Sequence, residues 1–505
     1  MSHVYRTHKI RIKKGHRLHT YFDQLCADAK NLYNATNFHF RQVLTGTKKD
    51  ASAITPLEKE AINTINDALP AINKRKHDYV IKRRTTEAAK PKKERKVIPD
   101  ANMYQPVGKD HPYISFEMLE AVFRVTNNID FVSLPAHTNT GVMKQVFSDW
   151  KSFFNSLADY KINPHQYKGR PRIPRYAKKN GRKPVLFTNQ TCLVKDNKYL
   201  KFPKTKERLN IGKIGLTEGT FQQVRLIPYR DYIELELVFR VAKEAPEPKR
   251  DTPERILGID LGVDNVAAIS NNIGDPPTIV KGTVIKSQNY FYNRERAHYY
   301  GVLRQGQAQS KGKHMSHQLD RLDRKRHAKI KDYFHKVSRR LVQYAEERDI
   351  DTMVVGKNQH WKQEIQMRRS DKLTFASIPY NLFIDMLTYK AAEKGIVVIL
   401  QEESYTSQAS FLDGDHVPVY GEVKNPVFSG RRISRGRYKT ASGLVINADV
   451  NASYNILKKA VSNAFDKRPW EKQDSWLLLE LCSGGRLECV IQRIVTDRSV
   501  FIEKA

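Results

Sequence analysis

The chain of 505 residues is 40% hydrophobic and 10% aromatic, which is typical of a folded protein with two or three domains rather than a disordered one. Its 88 lysine and arginine residues against 54 aspartate and glutamate residues give a formal net charge of +34, which predicts a polyanionic partner. Nucleic acid is favoured over a membrane surface, because the sequence contains no apolar stretch of about 18 residues and no signal-peptide core. We therefore expect a soluble, intracellular protein.

The cysteines limit the metal sites that the chain can build. Cys26, Cys192, Cys482 and Cys489 are too few and too scattered for a disulfide framework, and none forms a C-x-x-C pair that would hold structural zinc. We therefore expect any bound metal to sit on oxygen ligands.

Residues 1 to about 250 are predicted to form a sheet with a helical insertion. The chain opens with a strand pattern and continues with a helical one, and helical patterns resume from about 115 to 160. Residues 80 to 100 are basic and lack an apolar period, which predicts a mobile loop. Segments from 184 to 242 alternate as a small antiparallel sheet or barrel would. An aromatic stripe at helical spacing is expected to be core, and it comprises Val142, Val146, Trp150, Phe153 and Phe154.

The segment YKGRPRIPRY, residues 167 to 176, combines basic and aromatic residues with two prolines. Because the prolines exclude a regular helix, this segment must run extended. Such a strip suits a phosphate backbone. Its candidate nucleic-acid-binding residues are Lys168, Arg170, Arg172 and Arg175.

A proline-rich linker, residues 244 to 255, precedes a second domain. Three strands follow in a meander, ILGIDLGV, NVAAISNN and TIVKGTVI, and then a basic helical region from about 289 to 348. Strand TMVVG, a helix from about 379 to 394, strand IVVIL and a helix from 447 to 461 complete the pattern. This order is typical of an RNase H-like α/β domain, so we predict an α+β multidomain fold.

Acidic residues at the ends of these elements predict a metal site. Asp260 ends the first, central strand, and Asp449 stands in the first turn of the last helix, facing away from its packed stripe. Phosphodiester cleavage with two metal ions needs converging carboxylates, and the usual site adds a third one from another strand.

The third carboxylate is displaced in this sequence. The position after strand MVVG, where a RuvC-like site usually places glutamate, is Lys357, and a lysine cannot bind magnesium. The next parallel strand runs IVVIL into QEESYTS, so that Glu402 and Glu403 emerge at the same edge, about 4.8 Å further out. Glu403 is the predicted third ligand, with Glu402 as the alternative because only one of the pair can point inward. Glu364 is a weaker candidate.

Several separated motifs resemble the TnpB nucleases, which are compact relatives of type V CRISPR effectors and of the eukaryotic Fanzor proteins. The segments of the second domain that carry the likeness are ILGIDLGVDNVAAIS, the strand before VVGKN, EESYTSQAS and NADVNASYNILKK. Upstream, the likeness continues in LYNATNFHFRQ, LPAHTNTGVMKQVFSDWKSFF and YKGRPRIPRY, so that it spans residues 1 to about 460.

The resemblance implies a domain organisation. A wedge domain of β-barrel-like structure would comprise residues 1–20 and 165–250, with a helical recognition insertion at 21–164. A RuvC-like nuclease domain would comprise 251–406 and 447–461, interrupted by a target-nucleic-acid-binding insertion at 407–446. No role is assigned to the tail, 462–505, which has a possible hairpin around Ser483 to Gly485.

The resemblance also implies a function, an RNA-guided DNA endonuclease in which base pairing with the guide supplies sequence specificity. Asp260, Glu403 and Asp449 would be its catalytic residues and would hold two Mg²⁺ ions, for which Mn²⁺ could substitute. Guide RNA and target double-stranded DNA would be the partners. We expect a monomer with one RNA in the cytoplasm of a prokaryote, associated with the nucleoid.

Two departures from the family pattern matter. Part of the family, including the Fanzor-like branch, carries a displaced glutamate just before the TS of a YTS-like segment, and here that position is Glu403. The family often holds zinc with two cysteine pairs in the insertion, whereas Ala409 stands at the first expected cysteine, so we expect no zinc. The insertion keeps four arginines that either contact the target strand or form a solvated basic loop, namely Arg431, Arg432, Arg435 and Arg437.

Two other functions compete with the nuclease. Lys357 motivates a nuclease-dead, RNA-guided DNA-binding repressor, which would bind its target without cutting it. A DNA transposase would need strand transfer on transposon ends, and we rank it last because the resemblance is to guided nucleases.

Overall fold

The computed structural model describes residues 3–91, 94–212, 214, 219–244, 246–358, 377–434, 436–466 and 502–504. The chain divides into two compact units, an N-terminal unit from Met1 to Glu244 and a C-terminal unit from Ala245 to Ala505. The boundary falls at the start of the proline-rich stretch that was predicted as a linker. None of the helices in the described ranges is both long and apolar enough to cross a membrane. The mixed α/β, multidomain architecture is as predicted.

Two antiparallel sheets form the β part of the N-terminal unit. Their strands are β1 (His3–Lys13), β2 (Val185–Thr188), β3 (Leu193–Lys195), β4 (Tyr199–Lys201), β5 (Arg208–Asn210), β6 (Gly219–Pro228) and β7 (Tyr232–Glu244). The larger sheet has the order β1-β7-β6-β2, and the smaller one has the order β3-β4-β5. Ile233, Leu235 and Leu237 alternate along β7 and are buried, so this face of the larger sheet joins the core. The predicted antiparallel sheet is confirmed.

The helices of this unit pack into the same core. They are α1 (His19–Gly46), α2 (Pro56–Ala88), α3 (Phe116–Val125), α4 (Ile129–Ser133) and α5 (Thr138–Ile162). The stripe of α5 is core, as predicted, with Trp150 buried and Phe153 and Phe154 half-buried against the same cluster. The indole N–H of Trp150 donates to Oδ1 of Asn37 on α1 at 2.8 Å, which satisfies its only polar atom inside the core.

The loop predicted at residues 80 to 100 is wrong in its first part, because α2 continues to Ala88. A capping box starts this helix, in which Thr55 and Glu58 each bond the backbone N–H of the other. The last turns of α2 are exposed on nearly every side, so they show no apolar period. Their lysine, arginine and alanine residues favour a helix even without a packed face.

The central sheet of the C-terminal unit has the predicted RNase H-like order. Its strands are β8 (Ile256–Asp260), β9 (Asn265–Asn271), β10 (Thr278–Lys281), β11 (Thr352–Gly356) and β12 (Val397–Gln401). The first three form an antiparallel meander, and β11 and β12 continue the sheet in parallel on the other side of β8, giving the order β12-β11-β8-β9-β10. Strand β8 is therefore central, and its residues before Asp260 are buried.

Helices cover both faces of this sheet. They are α6 (Thr283–Arg304), α7 (His317–Glu347), α8 (Tyr380–Ala392) and α9 (Ala448–Ala460). The single basic helical region predicted at 289 to 348 is two helices, because Gln305 and Gly306 adopt left-handed backbone angles that end α6. The α9 helix packs closely on β8, since a Cβ atom at Gly258 would lie 2.4 Å from the carbonyl oxygen of Ser453.

A small antiparallel sheet occupies the insertion before α9. It comprises β13 (Arg431–Ser434), β14 (Arg437–Lys439) and β15 (Val445–Asn447) in that order. In the tail, β16 (Ile502–Lys504) pairs antiparallel with β10. The hairpin predicted around residues 483 to 485 lies outside the described residues.

Candidate metal-binding active site

Asp260 lies where three parallel strands end together. The register of β8, β11 and β12 places Gly356 beside Asp260 and Gln401 beside Gly356. Side chains alternate along a strand, so Asp260 points to the same face as Ile256, which packs against α9. The Asp260 residue keeps part of its surface exposed, whereas its carboxyl group is surrounded by protein. The carboxyl group is thus recessed in the protein.

Asp449 comes to this face from the first turn of α9. The side chain of Asn447 caps the helix by accepting the N–H groups of Asp449 and Val450 at 2.9 and 3.1 Å. One carboxylate oxygen of Asp449 accepts a hydrogen bond from Nδ2 of Asn265 at 2.8 Å, and the other lies 3.6 Å from the Arg432 guanidinium. Asp449 lies in the first turn of α9, as predicted, and its side chain is directed at Asn265 of β9.

Glu402 and Glu403 have different surroundings. Both carboxylate oxygens of Glu402 are engaged, one by Lys459 Nζ at 2.6 Å and the other by the N–H of Ser404 at 2.9 Å. The backbone N–H of Glu403 donates to Oδ1 of Asn358 at 2.9 Å, and Oε2 of Glu403 lies over Gly356. Of the two glutamates, Glu403 is the one directed at Asp260. The weaker candidate at position 364 lies outside the described residues.

The electrostatics connect the three carboxylates. Burial raises the pKa of Asp260 well above its usual range, and the negative charges of Asp449 and Glu403 raise it further, while Arg432 opposes the shift. Burial, and then the negative charge of Glu402, raise the pKa of Glu403 to about 7. A hydrogen bond from the backbone of Asn358 opposes this rise by lowering the pKa. Paired carboxyl groups whose charged forms are disfavoured are typical of sites that bind cations or move protons.

The donor set fits a hard cation. Carboxylate oxygens are the ligands that Mg²⁺ prefers, and the described residues near Asp260 offer three of them from separate elements. Nevertheless, no three or more His, Cys, Asp or Glu side chains in the described ranges are gathered tightly enough to form a complete cage. Asn265 and Arg432 hold Asp449 in this arrangement, and like charges keep carboxylates apart. The residues therefore fit a divalent metal ion in their chemistry, and their side chains would have to move closer together to hold one.

The residue of β11 that lies on the same face as Asp260 is Gly356, which has no side chain, and Lys357, where the sequence led us to expect the glutamate of a RuvC-like site, comes one residue later. Gly356 lies on the face of the sheet that α9 covers, beside Asp260. Successive residues of a strand point to opposite faces, so continuing the strand by one residue places Lys357 on the other face. The backbone N–H of Lys357 bonds the carbonyl of Gln401 at 2.8 Å, which continues the pairing with β12. The apolar run MVVG could not locate this position, because it does not tell where the pairing ends.

Two further residues of the site were missed by sequence analysis. Tyr380 is fully buried and donates its hydroxyl to the carbonyl of Gly262 at 2.6 Å, which fixes the loop after Asp260. Burial, and then the charges of Asp260 and Glu403, raise the pKa of this phenol, so it remains a neutral donor. Asn265 binds Asp449 directly. Neither has a signal in the sequence beyond its position next to an apolar run.

Family models match the C-terminal half of the chain. Residues 238–362 match OrfB_IS605, described as a probable transposase, and residues 380–456 match the Cas12f1-like TNB domain. The similarity to these two families is therefore confined to residues 238–362 and 380–456. No curated protein sequence matches the chain.

Three solved structures each align with at least 90% of the chain. A Cas12f1–sgRNA–target DNA complex is 13% identical with a TM-score of 0.40, covering 90% of this chain and 98% of that one. CasPhi-2 (Cas12j) bound to crRNA is 7% identical with a TM-score of 0.37, covering 92% and 98%. The mini-RNA-guided endonuclease CRISPR-Cas_phi3 is 11% identical with a TM-score of 0.36, covering 91% and 92%.

The insertion before α9 is held by side-chain amides of that helix. Asn451 donates to the carbonyl of Ala409 at 2.8 Å and accepts the N–H of Phe411 at 3.0 Å, and Asn455 donates to the same Ala409 carbonyl at 2.8 Å. Ala409 is fully buried at the position where the family often has a cysteine. Of the four arginines that were predicted to bind nucleic acid, three are exposed on the β13–β14 hairpin, namely Arg431, Arg432 and Arg437, and the one at position 435 lies outside the described residues.

The basic strip predicted in the N-terminal unit is extended and accessible. Residues 167 to 178 contain neither helix nor strand, and all four candidates are exposed, namely Lys168, Arg170, Arg172 and Arg175. Asn34 on α1 anchors the strip, because it accepts the N–H of Ala177 at 2.8 Å and donates to the carbonyl of Ala177 at 3.0 Å. The C-terminal end of the strip is therefore attached to α1, and its four basic side chains are exposed.

Proposed function

We propose that this chain is an RNA-guided DNA endonuclease that hydrolyses guide-complementary DNA with Mg²⁺ held by Asp260, Glu403 and Asp449. The observation that carries the proposal is the convergence of these three carboxyl groups on the α9 face of the sheet, where the charges of Asp449 and Glu403 act on Asp260. Two bound Mg²⁺ ions would supply activation of the attacking water and stabilisation of the leaving oxygen. The net charge of +34 supports RNA and DNA as partners.

The residues of the chain prepare this chemistry in defined ways. Tyr380 holds the loop after Asp260, so that the Asp260 carboxylate is presented from a fixed backbone. Glu403 must lose its proton to act as a ligand, since its pKa is raised to about 7. The guanidinium group of Arg432 contacts the carboxylate of Asp449, and Arg432 itself belongs to an exposed hairpin. Arg432 can therefore release Asp449 and bind a phosphate group of the target strand instead.

The test is magnesium-dependent cleavage of a plasmid library with randomised flanks by the full chain co-expressed with its native downstream RNA. Asp260→Ala and Glu403→Gln are expected to abolish cutting, by about 100-fold or more. Glu402→Gln is the matched control, because the carboxylate of Glu402 is bound to Lys459 and is not directed at Asp260. Retained cutting by Glu403→Gln, or loss with Glu402→Gln alone, would contradict the assignment.

Two alternative functions give different outcomes in the same experiment. If the chain is a guided repressor, the wild-type protein binds its guide-matched target but does not cut it at any Mg²⁺ concentration. A transposase, the activity named in the description of the matching family model, joins transposon ends to target DNA. Cleavage at guide-matched sites without strand transfer supports the nuclease over both.

A further inference from the structure

Tyr405 adopts a backbone conformation that tyrosine rarely takes. Its φ is 65°, whereas the φ of the preceding Ser404 is negative. The N–H of Thr406 donates to the carbonyl of Glu403 at 3.3 Å, which closes a β-turn around these two residues. A turn with a positive φ at its third residue favours glycine or asparagine there, and a bulky aromatic residue in that conformation is strained. The presence of tyrosine therefore needs a reason other than the turn itself.

The surrounding chain fixes this turn through its backbone. The carbonyl groups of residues 403 to 406 all accept hydrogen bonds, in that order from Thr406 Oγ1 at 2.8 Å, Lys459 Nζ at 3.0 Å, the N–H of Gln408 at 2.9 Å and Asn455 Nδ2 at 2.9 Å. At the start of the turn, the N–H of Glu403 donates to Oδ1 of Asn358 at 2.9 Å. Strained conformations persist where their surroundings fix them in this way, and they cluster at functional sites. The turn thus fixes the backbone from which Glu403 is directed at Asp260.

The ring of Tyr405 lies against the insertion. Its centroid is 6.1 Å from that of Phe428, and the two ring planes are tilted by 42°. The segment of Phe428 is itself held, because the N–H of the next residue, Ser429, donates to Asp415 at 3.0 Å. Asp415 also accepts the N–H of Ser410 at 2.7 Å. Aromatic pairs at such a separation attract each other beyond the burial of their surface. The ring therefore supplies what glycine or asparagine could not, a contact between the turn and the insertion.

We propose that Tyr405 is a positioning residue for Glu403, whose ring packs on Phe428, holds the turn and so links the insertion to this metal ligand. Through Arg432, the same insertion also contacts the carboxylate of Asp449. A change in the position of the insertion would therefore act on two of the three carboxylates. This inference deepens the proposed function, on which it rests for the role of Glu403 as a ligand.

The test uses the full-length chain and measures Mn²⁺ binding to the RNA-free protein by electron paramagnetic resonance. Tyr405→Asn removes the ring but tolerates the left-handed conformation, so the folded protein keeps its turn. It is expected to weaken Mn²⁺ binding by about tenfold or more, the usual effect of losing a residue that orients a metal ligand. Tyr405→Phe keeps the ring contact and is expected to bind Mn²⁺ within about twofold of the wild type. Tyr420→Asn is the matched control without effect, because Tyr420 belongs to the same insertion and is 79% exposed.

A double-mutant cycle tests the contact between the two rings. Phe428→Ala is expected to weaken Mn²⁺ binding in the wild-type background but to have little further effect in the Tyr405→Asn background, because the contact is already lost there. Equal losses in both backgrounds overturn the inference. A Tyr405→Asn protein that melts at a lower temperature but binds Mn²⁺ like the wild type also overturns it, since the tyrosine would then serve stability alone.

Hydrogen exchange tests the link without metal. The N–H groups of Thr406 and Ala409 are bonded within and just after the turn. Phe428→Ala is expected to speed their exchange in the metal-free protein, whereas Tyr420→Asn is not. Unchanged exchange in Phe428→Ala overturns the inference.

Glu403→Gln separates this inference from the proposed function. If Glu403→Gln keeps full Mn²⁺ binding, Glu403 is not a ligand, and the proposed function fails together with the inference. If Glu403→Gln binds Mn²⁺ weakly while Tyr405→Asn binds it like the wild type, the inference alone fails. Weak binding by both variants, with rescue by Tyr405→Phe, is the expected result.

Discussion

The ammonium group of Lys459 lies 2.6 Å from Oε2 of Glu402 and also donates to the carbonyl oxygens of Ser404 and Pro418, at 3.0 and 2.8 Å. Three acceptors use all of its hydrogens, and only 5% of the lysine side chain is exposed. Lys459 thus binds Glu402, one of the two adjacent glutamates, and attaches the segment after β12 to the end of α9. Glu403 is the neighbour that is left to face Asp260.

Replacing Lys459 by methionine is therefore expected to destabilise the C-terminal unit. The substitution keeps the length of the side chain but leaves Glu402 and two carbonyl groups without their donor, which costs about 1–3 kcal/mol. Urea denaturation of the full chain measures the loss. Lys458→Met is the control, because Lys458 reaches only the carbonyls of Gly414 and Asp415 at 3.1 and 3.3 Å. Equal losses for the two variants would contradict the assigned role of Lys459.

Metal binding is expected to depend on pH through Glu403. Its pKa is raised to about 7, so the carboxyl group is largely protonated below that pH and charged above it. Mn²⁺ affinity should therefore rise between pH 6 and about 8 and then level off. Glu402→Gln removes the neighbouring charge that contributes to the shift, so the midpoint should move to lower pH. A midpoint that does not respond to Glu402→Gln would argue against this cause.

The same group is expected to affect stability in the opposite direction. Because the folded protein holds the proton of Glu403 more tightly than the unfolded chain does, this carboxyl group favours folding at low pH. That contribution is fully present below the ordinary value of 4.5 and is lost as the pH rises to about 7, by up to about 3 kcal/mol. Metal-free Glu403→Gln should show a flatter dependence of unfolding free energy on pH between 5 and 8. A wild-type protein that gains stability through this window relative to Glu403→Gln would contradict the assigned shift.

The positions of Asp260 and Asp449 in the fold could be predicted from the sequence, because each lies at a fixed place relative to an apolar pattern. A carboxylate at the end of a continuously buried strand emerges at the edge of the sheet. The direction of a carboxylate in the first turn of a helix follows from the position of the apolar residues by which that helix packs. The choice between Glu402 and Glu403 needed the contact with Lys459, a residue 56 or 57 positions later in the sequence. Such a pairing between distant residues has no local signal.

The assignment of the missing carboxylate to Lys357 shows a second limit. One residue of error reverses the face to which a side chain points, and only the pairing partners Asp260 and Gln401 fix that face for Gly356. The end of α2 shows a third limit, since an exposed helix carries no apolar period and its basic residues resemble a solvated loop. Both limits arise where burial does not alternate along the chain, since β11 is buried on both faces and the end of α2 is exposed on nearly every side.

The basic strip of the N-terminal unit is expected to contribute to RNA binding through phosphate contacts. Arg170→Ala with Arg172→Ala removes two exposed charges without touching the anchor at Asn34. The affinity for guide RNA should fall, and the slope of log affinity against log salt should become shallower by about 0.7 to 0.9 for each lost phosphate contact. Lys48→Ala with Lys59→Ala removes the same charge from exposed positions elsewhere in the unit. An equal change in slope from both pairs would mean that net charge, not the strip, is responsible.

The insertion before α9 is expected to depend on amide hydrogen bonds for its stability. Asn451 is fully buried and bonds both Ala409 and Phe411, so Asn451→Ala leaves buried backbone groups with fewer partners, at about 1–3 kcal/mol. Asn463→Ala, at an exposed asparagine beyond the helix, should cost less than about 0.5 kcal/mol. A zinc-selective chelator should leave the melting temperature of the wild type unchanged. Because structural zinc contributes directly to folding, a marked fall on chelation would instead show that a metal holds this segment.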